Sequence, residues 1–320
     1  MSEVPDRLGL LMLTRVPGLG SKGITAILRD CHHRRVPIRS VFGMPEEELH
    51  SRYKLRPDTA RRMASDHESI GDAAKLLEKA LDGHQVQVIP ITAPNYPRGV
   101  IRHFQTPPPI LFAYGSLPAV QGPSVAVISS GSPTPWALEV TAATASAAAV
   151  AGASIVTGHN RPAYQEAALA GKRLGTPVVV ALDRGILCAF RGDLSREMFA
   201  AARIYGYEFP GHRDLVLSPF RPEDHWVGHH NRVRDALVVA LASVVVAVEV
   251  RAGGVMHAQC VRAKQCGKRV LVCDPGIPWP EASGNTAMID AGFEHVPADE
   301  LTSACARAVA NAAPSTHRAL

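Results

Sequence analysis

Four short segments rich in glycine and small residues have the composition of an anion-binding site. Each directly follows an apolar, strand-like run; the segments are residues 129–132, 157–161, 251–254 and 274–276. Small residues let a ligand approach the backbone closely, and Arg161, Arg232 and Arg251 supply positive charge in or beside the segments. A turn that opens a helix also presents free backbone N–H groups to an anion. The four segments therefore predict a site for a phosphate-bearing ligand.

The surrounding elements predict that these segments meet at one edge of a sheet. Residues 231–242 and 255–267 have helical patterns, while 243–250 and 268–273 are continuously apolar and read as strands buried on both faces. A strand, turn, helix and strand form a βαβ unit with parallel strands, and residues 124–182 show the same alternation. We therefore expect a doubly wound, mostly parallel α/β sheet. Ligands bind such sheets outside the carboxyl ends of the strands.

Two regions have less regular patterns. The prolines between residues 94 and 109 exclude helix and predict an extended lead-in between strands at 86–91 and 110–114. Residues 183–214 predict one helix, at about 194–204, before a short strand at 215–218. Helices at 283–291 and 299–310 are expected to close the domain.

The N-terminal region predicts a small basic module. Residues 1–62 carry twelve Lys or Arg against seven Asp or Glu, which equals the whole chain's net charge of +5. Residues 16–20, Val-Pro-Gly-Leu-Gly, separate two helical stretches and resemble a helix-hairpin-helix turn. In such a unit the hairpin amides and a following lysine, here Lys22, contact a DNA phosphate; a purely structural helical hairpin explains the pattern equally well. We expect an all-α module at residues 1–65 and an α/β domain at 66–320.

Composition indicates a cytoplasmic chain. No basic-then-apolar leader begins the sequence, and its longest apolar run, near residues 236–250, is too short and too β-branched for a membrane span. The six cysteines include no C-x-x-C pair, so we expect reduced thiols.

The sequence contains no convincing catalytic set. It lacks a G-x-x-x-x-G-K-[ST] loop, a G-x-G-x-x-G turn after a strand and an H-E-x-x-H helix. Adjacent histidine pairs point about 100° apart on a helix, so the fourteen histidines do not predict a metal site. We expect no cofactor. Glu249, at the end of a buried strand, is the best lone acid; it can hydrogen-bond a ribose or base, or pair with an arginine, and the pairing is favoured.

An ordered series of short motifs resembles the DNA-processing protein A (DprA, or Smf) family. The series covers residues 86–296; it comprises Asn95-Tyr96-Pro97, Asn231-Arg232, Gly253-Gly254, Pro275-Gly276, Gly284-Asn285 and Gly292. The resemblance implies a Rossmann-like domain, single-stranded DNA binding in the cleft, a homodimer, and delivery of the DNA to a RecA-type recombinase in DNA uptake and recombination. It implies no enzymatic step. We also expect none of the winged-helix domain that many members carry after this domain.

The predicted DNA- or phosphate-binding set combines the residues indicated by the four segments with those implied by the family resemblance. They are Lys22, Ser130, Gly131, Ser132, Gly158, Arg161, Asn231, Arg232, Arg251, Gly253, Gly254, Gly276 and Asn285.

Two departures from the family pattern weaken the predicted DNA contact. Residues 129–131, Ser-Ser-Gly, replace a Gly-Ser-Arg turn, so one arginine is missing. Tyr164 stands where the family motif S-G-x-A-R-G-I-D has its aspartate, although Arg161 is kept. Affinity for a polyanion depends on the number of phosphates neutralised.

Two other functions therefore remain open from the sequence. One is a nucleotide-binding sensor or a phosphoribohydrolase-like enzyme, although Arg251-Ala-Gly-Gly lacks the Thr and Glu of the hydrolase pattern P-G-G-x-G-T-x-x-E. The other is a regulatory partner of a toxin in a phage-defence pair.

Overall fold

The computed structural model describes residues 6–191, 193–194, 196–276 and 279–312. In these residues the helices are α1 Arg7–Arg15, α2 Ser21–Arg34, α3 Glu46–Tyr53, α4 Pro57–Ser65, α5 His67–Gly83, α6 Arg98–His103, α7 Pro135–Val150, α8 Pro162–Arg173, α9 Ile186–Phe190, α10 Ala200–Ile204, α11 His230–Leu241, α12 Val255–Gln265, α13 Ser283–Asp290 and α14 Leu301–Ala312. The strands are β1 Gln87–Pro90, β2 Ile110–Gly115, β3 Ser124–Ser129, β4 Ser154–Gly158, β5 Val178–Ala181, β6 Leu215–Ser218, β7 Val244–Glu249, β8 Arg269–Asp274 and β9 Glu294–Pro297.

The strands form one sheet in the order β1-β2-β6-β5-β4-β3-β7-β8-β9. The seven strands from β6 to β9 pair in parallel, while β1 and β2 add two antiparallel strands at one side. The chain winds outward from β3 through β4, β5 and β6, and then returns to place β7 on the other side of β3. The order therefore reverses between β3 and β7. The predicted doubly wound, mostly parallel sheet is confirmed.

Both faces of the sheet are covered, which explains the continuously apolar strands. Side chains alternate between the two faces of a strand, so on β7 Val245 and Ala247 join the core that includes α11 and α12. Val244, Val246 and Val248 instead join the core that includes α7 and α14. The alanine-rich α7 packs closely against α8 and α14, because small side chains let helices approach one another.

The sequence missed or misplaced several short elements. α6 forms inside the proline-rich lead-in, directly after Pro97, so the exclusion of helix there was wrong. The stretch 183–214 holds two short helices, α9 and α10, instead of one helix at 194–204. The edge strand β9 was not predicted, and only Val296 of its four residues is buried.

Helices α1 to α5 pack as a basic module before the sheet. α5 follows the predicted boundary at residue 65, packs against α1, and contributes to a buried core that continues into the sheet. Polar contacts also join the module to the loop at residues 219–228: Arg15 pairs with Glu223 at 2.6 Å, and Arg221 Nη2 donates to the carbonyl oxygen of Val16 at 3.4 Å. The domain boundary itself stays a prediction.

None of the helices in the described ranges has both the length and the apolar character to cross a membrane.

Candidate anion site at the carboxyl edge of the sheet

The four predicted segments follow the neighbouring strands β4, β3, β7 and β8, so they lie along one edge of the sheet. The segments after β3 and β7 are joined directly. The amide of Ser130 donates to the carbonyl of Glu249 at 2.8 Å, and the amide of Arg251 donates to Ser130 Oγ at 2.9 Å. The join lies where the strand order reverses, the position at which open α/β sheets form a ligand crevice.

Glu249 fixes the loop after β3. Its side chain is 1% exposed, and it accepts hydrogen bonds from the amide and hydroxyl of Thr134 at 3.0 and 2.6 Å. Thr134 in turn caps α7 by accepting from the amide of Ala137. The expected arginine pairing was wrong, and the buried carboxylate has no exposure toward a ribose or base. Glu249 instead holds the start of α7 against the end of β7.

The Gly253 turn presents the first turn of α12 to the crevice. Gly253 has φ +70°, a left-handed conformation that favours glycine. The amides of residues 252–254 bond within the protein, to Ser283, His257 and Arg251, so the expectation that the turn itself offers free amides was wrong. Gly254 caps α12 without a side-chain hydrogen bond, and the first-turn amides of a helix have no intrahelical acceptor. The available donors lie at residues 255–257.

The loop after β3 offers further donors. The amides of Gly131 and Ser132 donate no hydrogen bond to another described residue, and both residues are exposed. They lie beside Arg161, since a Cβ atom built on Gly131 would be 3.4 Å from Arg161 Nη1. These three residues therefore stay in the candidate site.

Asn285 supports the edge from inside. It is fully buried; its amide nitrogen donates to the carbonyls of Val248 and Cys273, each at 2.8 Å, and its oxygen accepts from the amide of Val250 at 2.9 Å. Every polar group of the side chain is engaged within the protein, and its predicted contact with a ligand stays a prediction. Asn285 ties the ends of β7 and β8 together.

Asp235, on the first turns of α11, accepts hydrogen bonds from several side chains in and near the loop after β4. It is completely buried and accepts from Arg161 at 3.1 Å, Tyr164 at 2.9 Å, and Arg234 at 2.8 and 3.0 Å. Burial and the neighbouring carboxylate raise the pKa of Tyr164 well above its usual value, so its hydroxyl stays a donor. Arg161 thus has a carboxylate partner although position 164 holds no aspartate.

Arg234 links this cluster to Asp183, which follows β5. Arg234 is 1% exposed; its Nη1 donates to the carbonyl of His159 at 2.6 Å and lies 3.3 Å from Asp183 Oδ2. Burial alone would raise the pKa of Asp183, but the His159 ring at 3.6 Å and the Arg184 guanidinium, which donates a hydrogen bond at 2.8 Å, hold the pKa well below its usual value. Asn160, at φ +65°, adds a hydrogen bond to Asp183 at 3.3 Å. The arrangement fixes the backbone on both sides of Arg161.

At the first turn of α11, Arg232 is the charged side chain most available to a ligand. Arg232 is exposed, and its side chain makes no hydrogen bond or ion pair with another described residue. Asn231 is engaged, since its oxygen accepts from Arg234 at 3.0 Å and from Trp226 Nε1 at 3.3 Å. Arg251 is half-exposed and lies 3.7 Å from Glu281. Arg232 is therefore free to meet an anion, whereas Asn231 positions the turn.

The last three residues of the predicted binding set are Gly158, Gly276 and Lys22, and each lies in different surroundings. Gly158 is buried, and a Cβ atom there would be 2.5 Å from the Tyr164 ring. Packing therefore requires glycine at this position, and its predicted ligand contact stays a prediction. Gly276, at φ +78°, is exposed and donates to Asp274. Lys22 is exposed on the first turn of α2, in the helical module, and the described contacts do not bring it to the sheet edge.

The buried pair Arg234 and Asp235 was missed from the sequence. Both charges stand in the run Val233-Arg-Asp-Ala-Leu237 of a helix that was interpreted as simply amphipathic. The available signal was their position directly before a continuously apolar helical stretch, where exposed charges are unexpected. Nothing in the sequence identified their partners. His159 and Arg161 lie more than seventy positions away in the loop after β4, and Asp183 lies 51 positions away after β5.

The open, doubly wound and mostly parallel sheet with helices on both faces defines a Rossmann-like α/β protein. The family model for DNA recombination-mediator protein A matches residues 87–305, and the chain therefore belongs to that family. The resemblance found from the sequence motifs is thus confirmed.

Solved structures share the fold. DNA processing protein A (DprA) from Streptococcus pneumoniae aligns with a TM-score of 0.73 and 18% sequence identity, covering 94% of this chain and 98% of that chain. DNA processing protein A from Helicobacter pylori, whose structure was described for its single-stranded DNA binding mode, aligns with a TM-score of 0.56 and 17% identity, covering 71% of this chain and 97% of that chain. Comparison with curated proteins gave no match.

Proposed function

We propose that the protein binds single-stranded DNA along the carboxyl edge of the sheet. One observation carries the proposal: at this edge α8, α11 and α12 begin without side-chain caps, next to the exposed and unpaired Arg232. Each helix N-terminus carries a partial positive charge, and an unpaired arginine can meet a phosphate with two hydrogen bonds.

Three further observations support DNA over a small nucleotide. The family is that of a DNA recombination mediator, and the Helicobacter relative is described as binding single-stranded DNA. The edge is lined by four adjacent segments, which suits a strand running across several loops. Three carboxylates at this edge, Glu249, Asp183 and Asp235, are buried and engaged. Asp274 accepts from the amide of Gly276, and Glu281 lies 3.7 Å from Arg251, so these contacts give no support to a hydrolytic acid or base.

Titration of fluorescent oligo-dT at a series of salt concentrations tests the proposal. We expect binding at low salt that weakens linearly on a log–log plot, because each neutralised phosphate of a single strand contributes a slope of about −0.7. Nucleoside monophosphates in the same titration provide the competing outcome. The proposal fails if the oligonucleotide does not bind at low salt, or if a monophosphate binds more tightly and loses its base.

We further propose that the protein acts in the cytoplasm as a homodimer that passes bound DNA to a RecA-type recombinase. These steps are supported by family membership. Sedimentation of the protein alone, with oligo-dT, and with oligo-dT plus a recombinase tests each step separately. A monomer under all three conditions contradicts the dimer, and failure to sediment with the recombinase contradicts the transfer.

A further inference from the structure

A groove in the helical module has the features of a second anion site. We call it the hairpin groove; it is lined by Pro17, Gly18, Arg56, Pro57, Asp58, Thr59 and Arg62 and has a volume of about 480 Å³. One wall is the turn between α1 and α2, and the other is the beginning of α4. Pro17 and Gly18 belong to the turn that resembles a helix-hairpin-helix unit, whereas Arg56, Thr59 and Arg62 are not in the predicted binding set.

Thr59 contributes to this groove a hydroxyl that has no described protein partner. The residue is 3% exposed, and its hydroxyl makes no hydrogen bond with another described residue. A Cβ atom at Gly18 would lie 2.9 Å from Thr59 Oγ1 and 2.8 Å from Arg56 Nη2. The glycine therefore keeps open the space beside this hydroxyl, which faces the groove and has no described protein partner.

The charge in the groove is positive. Arg62 is exposed and forms no ion pair or hydrogen bond with another described residue. Arg56 donates one hydrogen bond, from Nη2 to the carbonyl of Gly18 at 3.2 Å, and has no carboxylate partner. The only acid in the lining, Asp58, lies 3.5 Å from Arg61. α4 begins over the groove without a side-chain cap, which adds the positive end of a nine-residue helix.

The hairpin groove is connected to the carboxyl edge of the sheet. Arg221 bonds to Val16, which directly precedes the groove, and Arg15 pairs with Glu223. The same loop continues to Trp226, which bonds to Asn231 beside Arg232. One loop therefore joins the groove to the start of α11.

We propose that the hairpin groove binds a backbone phosphate of the same DNA strand that lies on the carboxyl edge. The phosphate accepts from Thr59 Oγ1 and from the guanidinium groups of Arg56 and Arg62. This inference rests on the proposed function, and it adds a second contact that extends the strand over the helical module.

Comparison of Arg62→Ala with Arg29→Ala tests the groove. Arg29, on α2, is also exposed and without a described partner, but it does not line the groove. Both variants are titrated with a short oligo-dT of about 6 nucleotides, enough for one small site, and with one several times longer. We expect Arg62→Ala to weaken only the longer oligonucleotide and to reduce its salt slope by about 0.7, while Arg29→Ala matches the parent.

Thr59→Val gives an independent readout, because it removes the hydroxyl without changing charge or shape. We expect the longer oligonucleotide to bind about two-fold to ten-fold more weakly with an unchanged salt slope, and urea unfolding confirms that the variant is folded. The groove site is overturned if Arg62→Ala and Arg29→Ala change binding of the longer oligonucleotide equally, or if neither variant changes it. In that case, binding of the short oligonucleotide by the parent would still support the proposed function. If the parent binds neither oligonucleotide, both proposals are overturned.

Discussion

Asp235 shows how one buried residue determines the geometry of the carboxyl edge. Its carboxylate accepts from Arg161, Tyr164 and Arg234, and it is completely buried. Buried charges of this kind depend on all their partners, because removing one leaves the others unpaired in a poorly hydrated environment. The position of Arg161 therefore depends on a residue in a different helix.

Replacing Asp235 is expected to destabilise the fold strongly. Asp235→Ala leaves Arg234 buried without its main partner, and we expect a loss of about 3–5 kcal/mol in the free energy of unfolding. Urea denaturation measures it. Asp72→Ala is the matched control, because Asp72 pairs with Lys75 on an exposed surface and such pairs contribute at most about 1 kcal/mol. Equal losses for the two variants would show that the buried cluster is not structural.

Arg232 is expected to contribute to binding but not to stability. Arg232→Ala removes an exposed side chain without described partners, so we expect unchanged unfolding and a salt slope for oligo-dT reduced by about 0.7. Arg307→Ala, on the exposed side of α14, is the control. Fluorescence anisotropy at several salt concentrations separates them. Identical slopes in the two variants would remove Arg232 from the site.

His230 is expected to make the start of α11 sensitive to acid. Burial lowers the pKa of His230 below the usual 6.5, so the unfolded chain takes up a proton before the folded protein does. Stability is therefore unaffected well above pH 6.5 and falls as the pH drops through 6.5 toward the folded pKa. In urea unfolding at pH 7.5 and 5.5, we expect His230→Gln to lose less stability between the two values than the parent. A loss as large as the parent's contradicts this assignment.

At the scale of elements, Glu249 connects the end of β7 to the loop before α7. The Thr134 hydrogen bonds at 2.6 and 3.0 Å close the crevice from one side. The loop after β3 therefore depends on Glu249, which is more than a hundred residues away in sequence. This contact at Thr134 helps to position the exposed amides of Gly131 and Ser132.

Glu249→Gln is expected to loosen this loop. Glutamine keeps the shape of the side chain but replaces one of its two acceptor oxygens by an NH2 donor. The amide or the hydroxyl of Thr134 therefore loses its acceptor, at a cost of about 1–3 kcal/mol in the free energy of unfolding. We also expect weaker oligo-dT binding. Glu294→Gln is the control, since Glu294 pairs with Arg269 at the exposed edge of the sheet. Unfolding and binding measurements that do not distinguish the two variants would contradict the role of Glu249.

The sequence predicted the elements whose patterns are strong. β3, β7 and β8 are continuously apolar because both faces are buried, and their turns contain small residues. It did not predict β9, which buries only Val296, nor α6, which starts directly after Pro97 and contains no proline itself. For the site, the glycine segments identified the edge, whereas the Asp235 and Glu249 contacts depend on tertiary packing that no local pattern encodes.

At the scale of the whole molecule, the strand order explains why distant segments form one surface. Residues 130 and 251 are neighbours because β3 and β7 pair although more than a hundred residues separate them. The loop at 219–228 then connects this edge to the basic helical module. We therefore expect one DNA strand to contact both parts of the molecule.

A crystal structure with bound oligo-dT tests the central claim most directly. We expect phosphate density at the carboxyl edge, with oxygens about 2.7–3.2 Å from Arg232 and from amides at residues 131–132 or 255–257. Density for the strand on any other face of the sheet, with this edge empty, would contradict it.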